Sequence, residues 1–243
     1  MARAELAATA RDMSKDDDDD FYRPPEPTTA GLMFPARSKF TVRGFTLAMT
    51  PAEMYWRQII SASQHERATC LLALANPNLW NLHDQPRPVS YIDAVGRQRS
   101  HRFDYLAEYR DGSKVAMAVK PAERVEKLNF RSALTAIRRD LPKGFADKVC
   151  LITERNHHPK EVQNAELLNF FRRCPDQEAD ELVADCTIGL TDQLSIGELL
   201  DPLDLGARGF RAAFRAIYAG LLQANTRELI SINTIVAPGK DQP

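Results

Sequence analysis

The sequence lacks the features that define several large classes of protein. No apolar run approaches the roughly 20 residues that a membrane helix requires, so we expect no membrane-spanning segment. The first 20 residues contain no apolar core of the kind found in secretory signals. Four scattered cysteines without CxxC spacing predict free thiols and a cytoplasmic location, not a disulfide framework or a zinc site. No Gly-rich phosphate-binding loop is present, which argues against nucleotide hydrolysis.

The net charge of −1 hides an uneven distribution of charged residues. Residues 1–20 contain seven acidic and three basic residues, including five consecutive aspartates at 16–20. Together with four prolines between positions 24 and 35, this composition predicts a disordered acidic and Pro-rich tail over residues 1–37. Residues 101–148 contain eleven Lys and Arg against seven Asp and Glu. This local net charge of +4 suits a phosphate-backbone partner, and a solvated protein face explains it equally well.

The remaining sequence alternates between helical and extended patterns, which indicates an α/β fold. We predict helices over about 50–75, 122–140 and 160–173, and strands over 89–94, 101–109, 114–120 and 148–153. Asp111-Gly112 between two strand patterns is a strong hairpin signal.

The pattern changes after Cys174. Helical segments near 194–200 and 208–224 are followed by an extended piece at 229–236. We therefore predict a core over residues 38–175 and a small, mostly helical, winged-helix-like module over 176–243.

The predicted hairpin places an acid and a lysine at the ends of paired strands. Alternation along 114–120 puts Ala116, Ala118 and Lys120 on one face of the second strand, and Asp104 lies on the first strand, diagonal to this group if Asp111-Gly112 is a two-residue turn. Phosphodiester hydrolysis uses such groups, because carboxylates hold a divalent cation and a lysine stabilises charge. The alternative is an ordinary hairpin whose charges are solvated.

Residues 50–237 contain a series of short motifs in a definite order. The helix motif with its glutamate is SASQHERATCLLALANP, containing Glu66. The strand that follows a Gln-Pro pair is matched by HDQPRPVSY, in which the glutamine is Gln85. The aspartate and lysine motifs are matched by HRFDYLAEYRDG and VAMAVKPAE, containing Asp104 and Lys120. In this order the motifs resemble those of the TnsA-like transposon endonucleases, which belong to the PD-(D/E)xK nuclease superfamily. The resemblance implies a restriction-endonuclease-like core, a mixed sheet flanked by helices, followed by the winged-helix-like module.

The resemblance also implies a role for each matched residue. Glu66 and Asp104 would bind Mg²⁺ or Mn²⁺, together with the main-chain carbonyl of Val119, and Lys120 would position the attacking water or stabilise the transition state. Gln85 would line the site. The implied activity is metal-dependent cleavage of DNA at the ends of a mobile element, and the implied partners are DNA, a transposase subunit and an AAA+ ATPase.

One position departs from the family pattern. Two residues before the lysine, where the family has an acid or a glutamine, this sequence has Ala118. The loss of that side chain weakens the cation site. An alternative reading is therefore a nuclease-fold subunit that binds DNA or regulates a partner without turnover, and a third is a nuclease for RNA or branched DNA.

Overall fold

The computed structural model describes residues 23–30 and 44–239. The strands in these residues are β1 (Gly44–Ala48), β2 (Arg57–Ser61), β3 (Leu79–Asp84), β4 (Val89–Ile92), β5 (Gln98–His101), β6 (Tyr105–Tyr109), β7 (Lys114–Val119), β8 (Lys148–Ile152), β9 (Leu194–Ser195), β10 (Leu222–Gln223) and β11 (Ile235–Pro238). The helices are α1 (Gln64–Ala75), α2 (Ala122–Lys127), α3 (Phe130–Arg139), α4 (Pro159–Phe171), α5 (Gln177–Thr187), α6 (Ile196–Leu200) and α7 (Ala207–Tyr218), with 3-10 turns at Glu154–Asn156 and Asp201–Leu203. No helix in the described ranges is long and apolar enough to cross a membrane.

A mixed four-stranded sheet forms the centre of the core, with the strand order β3-β6-β7-β8. β6 is antiparallel to both β3 and β7, whereas β8 is parallel to β7. The connection from β7 to β8 contains α2 and α3, as a parallel connection requires a crossover. The predicted α/β class is confirmed, with helices on both faces of the sheet.

The two faces of β7 belong to different apolar clusters, as its alternation predicts. Met117 and Val119 pack in the cluster that contains residues of α1. Ala116 and Ala118 pack in the cluster that contains residues of α2 and α3. The strand therefore lies between two layers of helix, and a larger side chain at one of its buried positions would contact one of these layers.

The predicted helix over 122–140 is divided into α2 and α3. Asn129 separates them and has a φ of 46°, in the left-handed region that asparagine tolerates better than most residues. α3 then buries Phe130, Leu134 and Ile137, whose spacing places them on one side of a helix. The break allows both short helices to direct apolar residues into the same cluster.

The predicted helix over 50–75 is wrong in its first half. Glu53 does accept hydrogen bonds from the main-chain N–H and the hydroxyl of Thr50, both at 2.9 Å, as a capping box would. The chain after this turn becomes β2, whose residues alternate between buried and partly buried and pair antiparallel with β1. Pairing with β1 therefore overrides the local helix signal, and the helix begins only at Gln64.

The first described segment, residues 23–30, runs beside β2. Glu26 exchanges main-chain hydrogen bonds with both neighbours of Arg57, from its N–H to the carbonyl of Trp56 and from the N–H of Gln58 to its own carbonyl. This part of the sequence therefore has a defined course, in contrast to the disorder that we predicted for it. The rest of the predicted tail lies outside the described residues.

The C-terminal part contains three helices and a three-stranded antiparallel sheet with the order β10-β11-β9. α5, over Gln177–Thr187, was not predicted, and α7 ends at Tyr218 although the helical pattern extends to 224. One apolar cluster joins these elements to the core, because it contains Leu71 of α1 and Leu168 of α4 as well as Phe214 of α7. The predicted boundary near residue 175 therefore crosses a shared core.

Candidate functional site

Asp104 lies where β6 and β7 separate. The regular register pairs Tyr105 with Met117, and the next pair along the sheet would be Asp104 with Ala118. The main-chain N–H of Asp104 instead donates to the carbonyl of Met117 at 3.0 Å, and its Oδ2 accepts the N–H of Val119 at 2.6 Å. The carboxylate thus replaces a main-chain carbonyl as the acceptor, which fixes it at the end of the sheet.

Burial and a neighbouring negative charge perturb the Asp104 carboxyl. Its pKa is raised from 3.8 to about 7, first by desolvation and second by the charge of Glu66, against the opposing effects of the Val119 N–H and Lys120. The structure therefore brings the two predicted carboxylates and the predicted lysine close enough to interact electrostatically. A buried carboxyl whose pKa is raised toward neutrality is a common property of catalytic sites.

Glu66 lies in the first turn of α1 and is buried. One carboxylate oxygen accepts the N–H of Ala62 at 2.7 Å, and the other accepts the hydroxyl of Ser63 at 3.0 Å. Ser63 in turn caps the helix by accepting the N–H of Glu66 at 3.2 Å. Glu66 therefore has a structural role at the start of α1, and its two oxygens retain lone pairs for a cation.

Lys120 follows β7 and continues its pairing with β8, because its N–H donates to the carbonyl of Ile152 at 2.9 Å. Its Nζ lies 4.8 Å from the centre of the Phe130 ring, which holds the ammonium group by a cation–π contact. His101 stacks edge-on against Phe103 and lies beside the same Phe130 ring, and burial together with the charge of Lys120 lowers its pKa to about 4. No acidic group among the described residues forms an ion pair with Lys120. Its charge is therefore available to an anion.

Gln85 directly follows β3 and lies beside Asp104. Its N–H donates to the carbonyl of Asp104 at 2.9 Å, and its own carbonyl accepts from Arg102 at 3.1 Å. The backbone has a φ of 44°, in the left-handed region that a non-glycine residue seldom adopts. The residue is 7% exposed, and its Oε1 is buried without a hydrogen-bond partner among the described residues.

Ala118 is 1% exposed and packs in the apolar cluster beneath α2 and α3. The small residue therefore fills a closed position, and no polar side chain replaces the missing acid on this strand. Val119, at the end of β7, supplies the N–H that binds Asp104, and the cation-binding role of its carbonyl stays a prediction.

A buried polar network behind the site was not predicted. Asp84, which precedes Gln85, is fully buried and accepts hydrogen bonds from the N–H of Ile60 at 2.8 Å and from the hydroxyls of Thr28 and Thr29. Arg57 forms an ion pair with Asp84 at 3.4 Å. Each of these residues looks like an ordinary surface group in the sequence, so only the fold shows that they meet.

A second unpredicted group lies beside α1. The rings of His65 and His157 stack with centres 6.2 Å apart, and the Nε2 of His157 lies 3.0 Å from the hydroxyl of Thr69. Burial, followed by the charge of His65, lowers the pKa of His157. The histidine therefore packs against α1.

The donor set suits a hard divalent cation. Within residues 23–30 and 44–239, no group of three or more His, Cys, Asp and Glu side chains is arranged to hold a metal ion. Two carboxylates and the unpartnered amide oxygen of Gln85 are nevertheless oxygen donors of the type that Mg²⁺ and Mn²⁺ prefer. Comparison with known proteins finds no family model and no curated protein that matches this chain.

Proposed function

We propose that this protein is a metal-dependent DNA endonuclease of the TnsA-like kind, with its active site at the end of the sheet where β6 and β7 separate. The observation that carries the proposal is the Asp104 carboxyl, which is fixed by the Val119 N–H and is influenced by the charges of both Glu66 and Lys120. The mixed sheet with helices on both faces is the architecture that the resemblance implies.

The side chains of the site have separate tasks in phosphodiester hydrolysis. A bound Mg²⁺ or Mn²⁺ supplies Lewis-acid activation of water and neutralises phosphate charge. Glu66 and Asp104 supply the carboxylates that hold it, and both are held by hydrogen bonds before any ligand arrives. Lys120, fixed over Phe130, presents an ammonium group that stabilises the negative charge developing on a phosphate oxygen.

The distribution of charge favours DNA binding by the core. Residues 44–175 contain 20 Lys and Arg against 14 Asp and Glu, a net charge of +6. Residues 176–243 contain 5 Lys and Arg against 11 Asp and Glu, a net charge of −6. A polyanion is attracted to the first part and repelled by the second, so we place the DNA on the core.

The C-terminal part fits a partner-binding role better than DNA reading. Three helices and a small antiparallel sheet support a winged-helix-like module. Two of the three arginines of α7 are, however, engaged within the module: Arg208 forms ion pairs with Asp176 and Glu178, and Arg215 with Asp180. We propose that this module contacts the protein partners that the resemblance implies, a transposase subunit and an AAA+ ATPase.

A second candidate function is a nuclease-fold subunit that binds DNA without cutting it. The closed apolar position of Ala118 favours this alternative, because the strand that carries the lysine then contributes no carboxylate.

A plasmid-nicking assay distinguishes the two functions. We expect slow nicking of supercoiled DNA in Mn²⁺, and a loss of at least about 10²-fold in Asp104→Asn, Glu66→Gln and Lys120→Met. Glu66→Gln is informative because the amide oxygen of glutamine can still accept the N–H of Ala62. Lys114→Met is the matched control: this lysine lies at the other end of β7 and pairs with Glu108 at 2.7 Å.

Nicking that is lost in the three site variants and kept in Lys114→Met supports the endonuclease. DNA binding in a gel-shift assay without nicking in any cation supports the non-catalytic subunit. Nicking that persists in all three site variants overturns the proposed active site.

A further inference from the structure

We infer that Gln85 is the third oxygen ligand of the divalent-cation site and substitutes for the side chain that Ala118 lacks. This inference rests on the proposed function and assigns one more residue to the same site. It is based on three properties of Gln85: its position, its backbone conformation and its unpartnered amide oxygen.

The position of Gln85 follows from the register of the sheet. Asp84 pairs with Tyr105 in β3 and β6, so Gln85 lies opposite Asp104, to which it donates a main-chain hydrogen bond at 2.9 Å. Ala118 lies opposite Asp104 on the other side, in β7. Asp104 is therefore the middle residue of a row of three. Neighbouring residues in such a row have Cα atoms about 5 Å apart, within the reach of a glutamine side chain.

The backbone of Gln85 is held in an unfavourable conformation. Its φ of 44° is one that glycine or asparagine adopts more readily, and a glutamine there carries a local cost in stability. Two hydrogen bonds fix this conformation: the N–H of Gln85 donates to the carbonyl of Asp104, and the carbonyl of Gln85 accepts from the guanidinium group of Arg102. Strain of this kind is concentrated at ligand-binding and catalytic positions.

The amide oxygen of Gln85 has no partner among the described residues although it is buried. A buried polar atom without a hydrogen bond is unfavourable, and native proteins leave few of them unexplained. A hard cation accounts for it, because amide oxygens coordinate such ions alongside carboxylates. The two carboxylates of Glu66 and Asp104 with this oxygen would give the cation three side-chain ligands, and water would complete the shell.

Calorimetric titration with Mn²⁺ tests the inference without depending on activity. Gln85→Met keeps the length of the side chain and removes the amide, so we expect Mn²⁺ affinity to fall by about 10-fold or more. Gln85→Glu keeps an oxygen at the position and adds charge, so we expect tighter binding. Gln98→Met, at an exposed position of β5, is the matched control and should bind Mn²⁺ as the natural protein does.

A second measurement guards against an indirect effect on folding. In the absence of metal, Gln85→Met should unfold at a urea concentration no lower than that of the natural protein, because the variant no longer buries an unpartnered polar atom. A variant that folds in this way and binds Mn²⁺ as tightly as the natural protein would overturn the role of Gln85. Asp104→Asn distinguishes this failure from a failure of the proposed function: unchanged Mn²⁺ binding in Asp104→Asn as well would remove the cation site itself.

Discussion

Ionisation of Asp104 should destabilise the metal-free protein, and Asp104→Asn should remove this effect. The pKa of the carboxyl rises from 3.8 to about 7 in the folded protein, because of burial and then the charge of Glu66. The folded state therefore binds the proton more tightly than the unfolded state does. The resulting loss of stability is absent below about pH 4, grows between pH 4 and pH 7, and is complete above pH 7.

The size of the effect follows from the shift. A tenfold change in proton affinity corresponds to about 1.4 kcal/mol of free energy. The rise of the Asp104 pKa from 3.8 to about 7 therefore gives an upper limit of about 4 kcal/mol for the loss of stability at high pH. By about pH 5 roughly 1.5 kcal/mol of this has already developed. The stability advantage of Asp104→Asn should therefore be about 2 to 3 kcal/mol larger at pH 8 than at pH 5. Asparagine is a suitable replacement because its Oδ1 can still accept the N–H of Val119.

Urea unfolding in the presence of a chelator measures this difference directly. Asp93→Asn serves as a control of opposite sign, because hydrogen bonds, first from the main chain of Arg97, lower the pKa of Asp93. The charge of Asp93 stabilises the fold once the pH is above its pKa, so its removal should reduce stability at both pH values. A free energy of unfolding that changes with pH in the same way for the natural protein and Asp104→Asn would refute the argument.

Three further predictions concern the surroundings of the site. Arg57→Met should lower the free energy of unfolding by about 3 to 5 kcal/mol in urea denaturation, because it leaves the buried Asp84 charge unpaired. Adding Asp84→Leu should restore part of the loss, and a double variant no more stable than Arg57→Met would contradict this explanation. Ala118→Gln should cost about 1 to 3 kcal/mol in the same assay, because the alanine is enclosed by apolar residues, and an unchanged stability would show that the position is open. Deletion of 176–243 should abolish cooperative unfolding followed by circular dichroism, because it exposes the apolar side of α4; a cooperative transition in the shortened chain would show that the core folds alone.

The sequence predicted most elements of the core because their signals are local. The hairpin at Asp111-Gly112 is present, but Gly112 has a φ of 82° and the connection is one residue longer than a two-residue turn. That single residue moves the register, so that Asp104 lies opposite Ala118, where a two-residue turn would place it opposite Val119. The register of β6 and β7 therefore depends on the backbone conformation of Gly112, and the neighbouring sequence does not specify that conformation.

The site was predictable only as far as residue type and motif order allow. Asp104 and Lys120 could be selected because a carboxylate and a lysine suit the chemistry, and Glu66 only because the order of motifs resembles that of a known family. The special properties of Gln85, its left-handed backbone and its buried amide oxygen, arise from contacts with Asp104 and Arg102, which are 19 and 17 residues away in the sequence. The error in the first half of the helix predicted over 50–75 has the same cause, since β2 forms only through its pairing with β1.

α1 belongs to two apolar clusters, with Cys70 and Leu74 in one and Leu71 and Ala75 in the other. The helix cannot leave one cluster without disturbing the other. We therefore expect the amide hydrogens of α1 to exchange slowly, because their exposure requires both clusters to open. The first turn of this helix carries Glu66. The rotational freedom of that carboxylate is therefore lost during folding, when the core assembles, and little of it remains to be lost when a ligand arrives. The candidate site is preorganised by packing contacts that lie outside it.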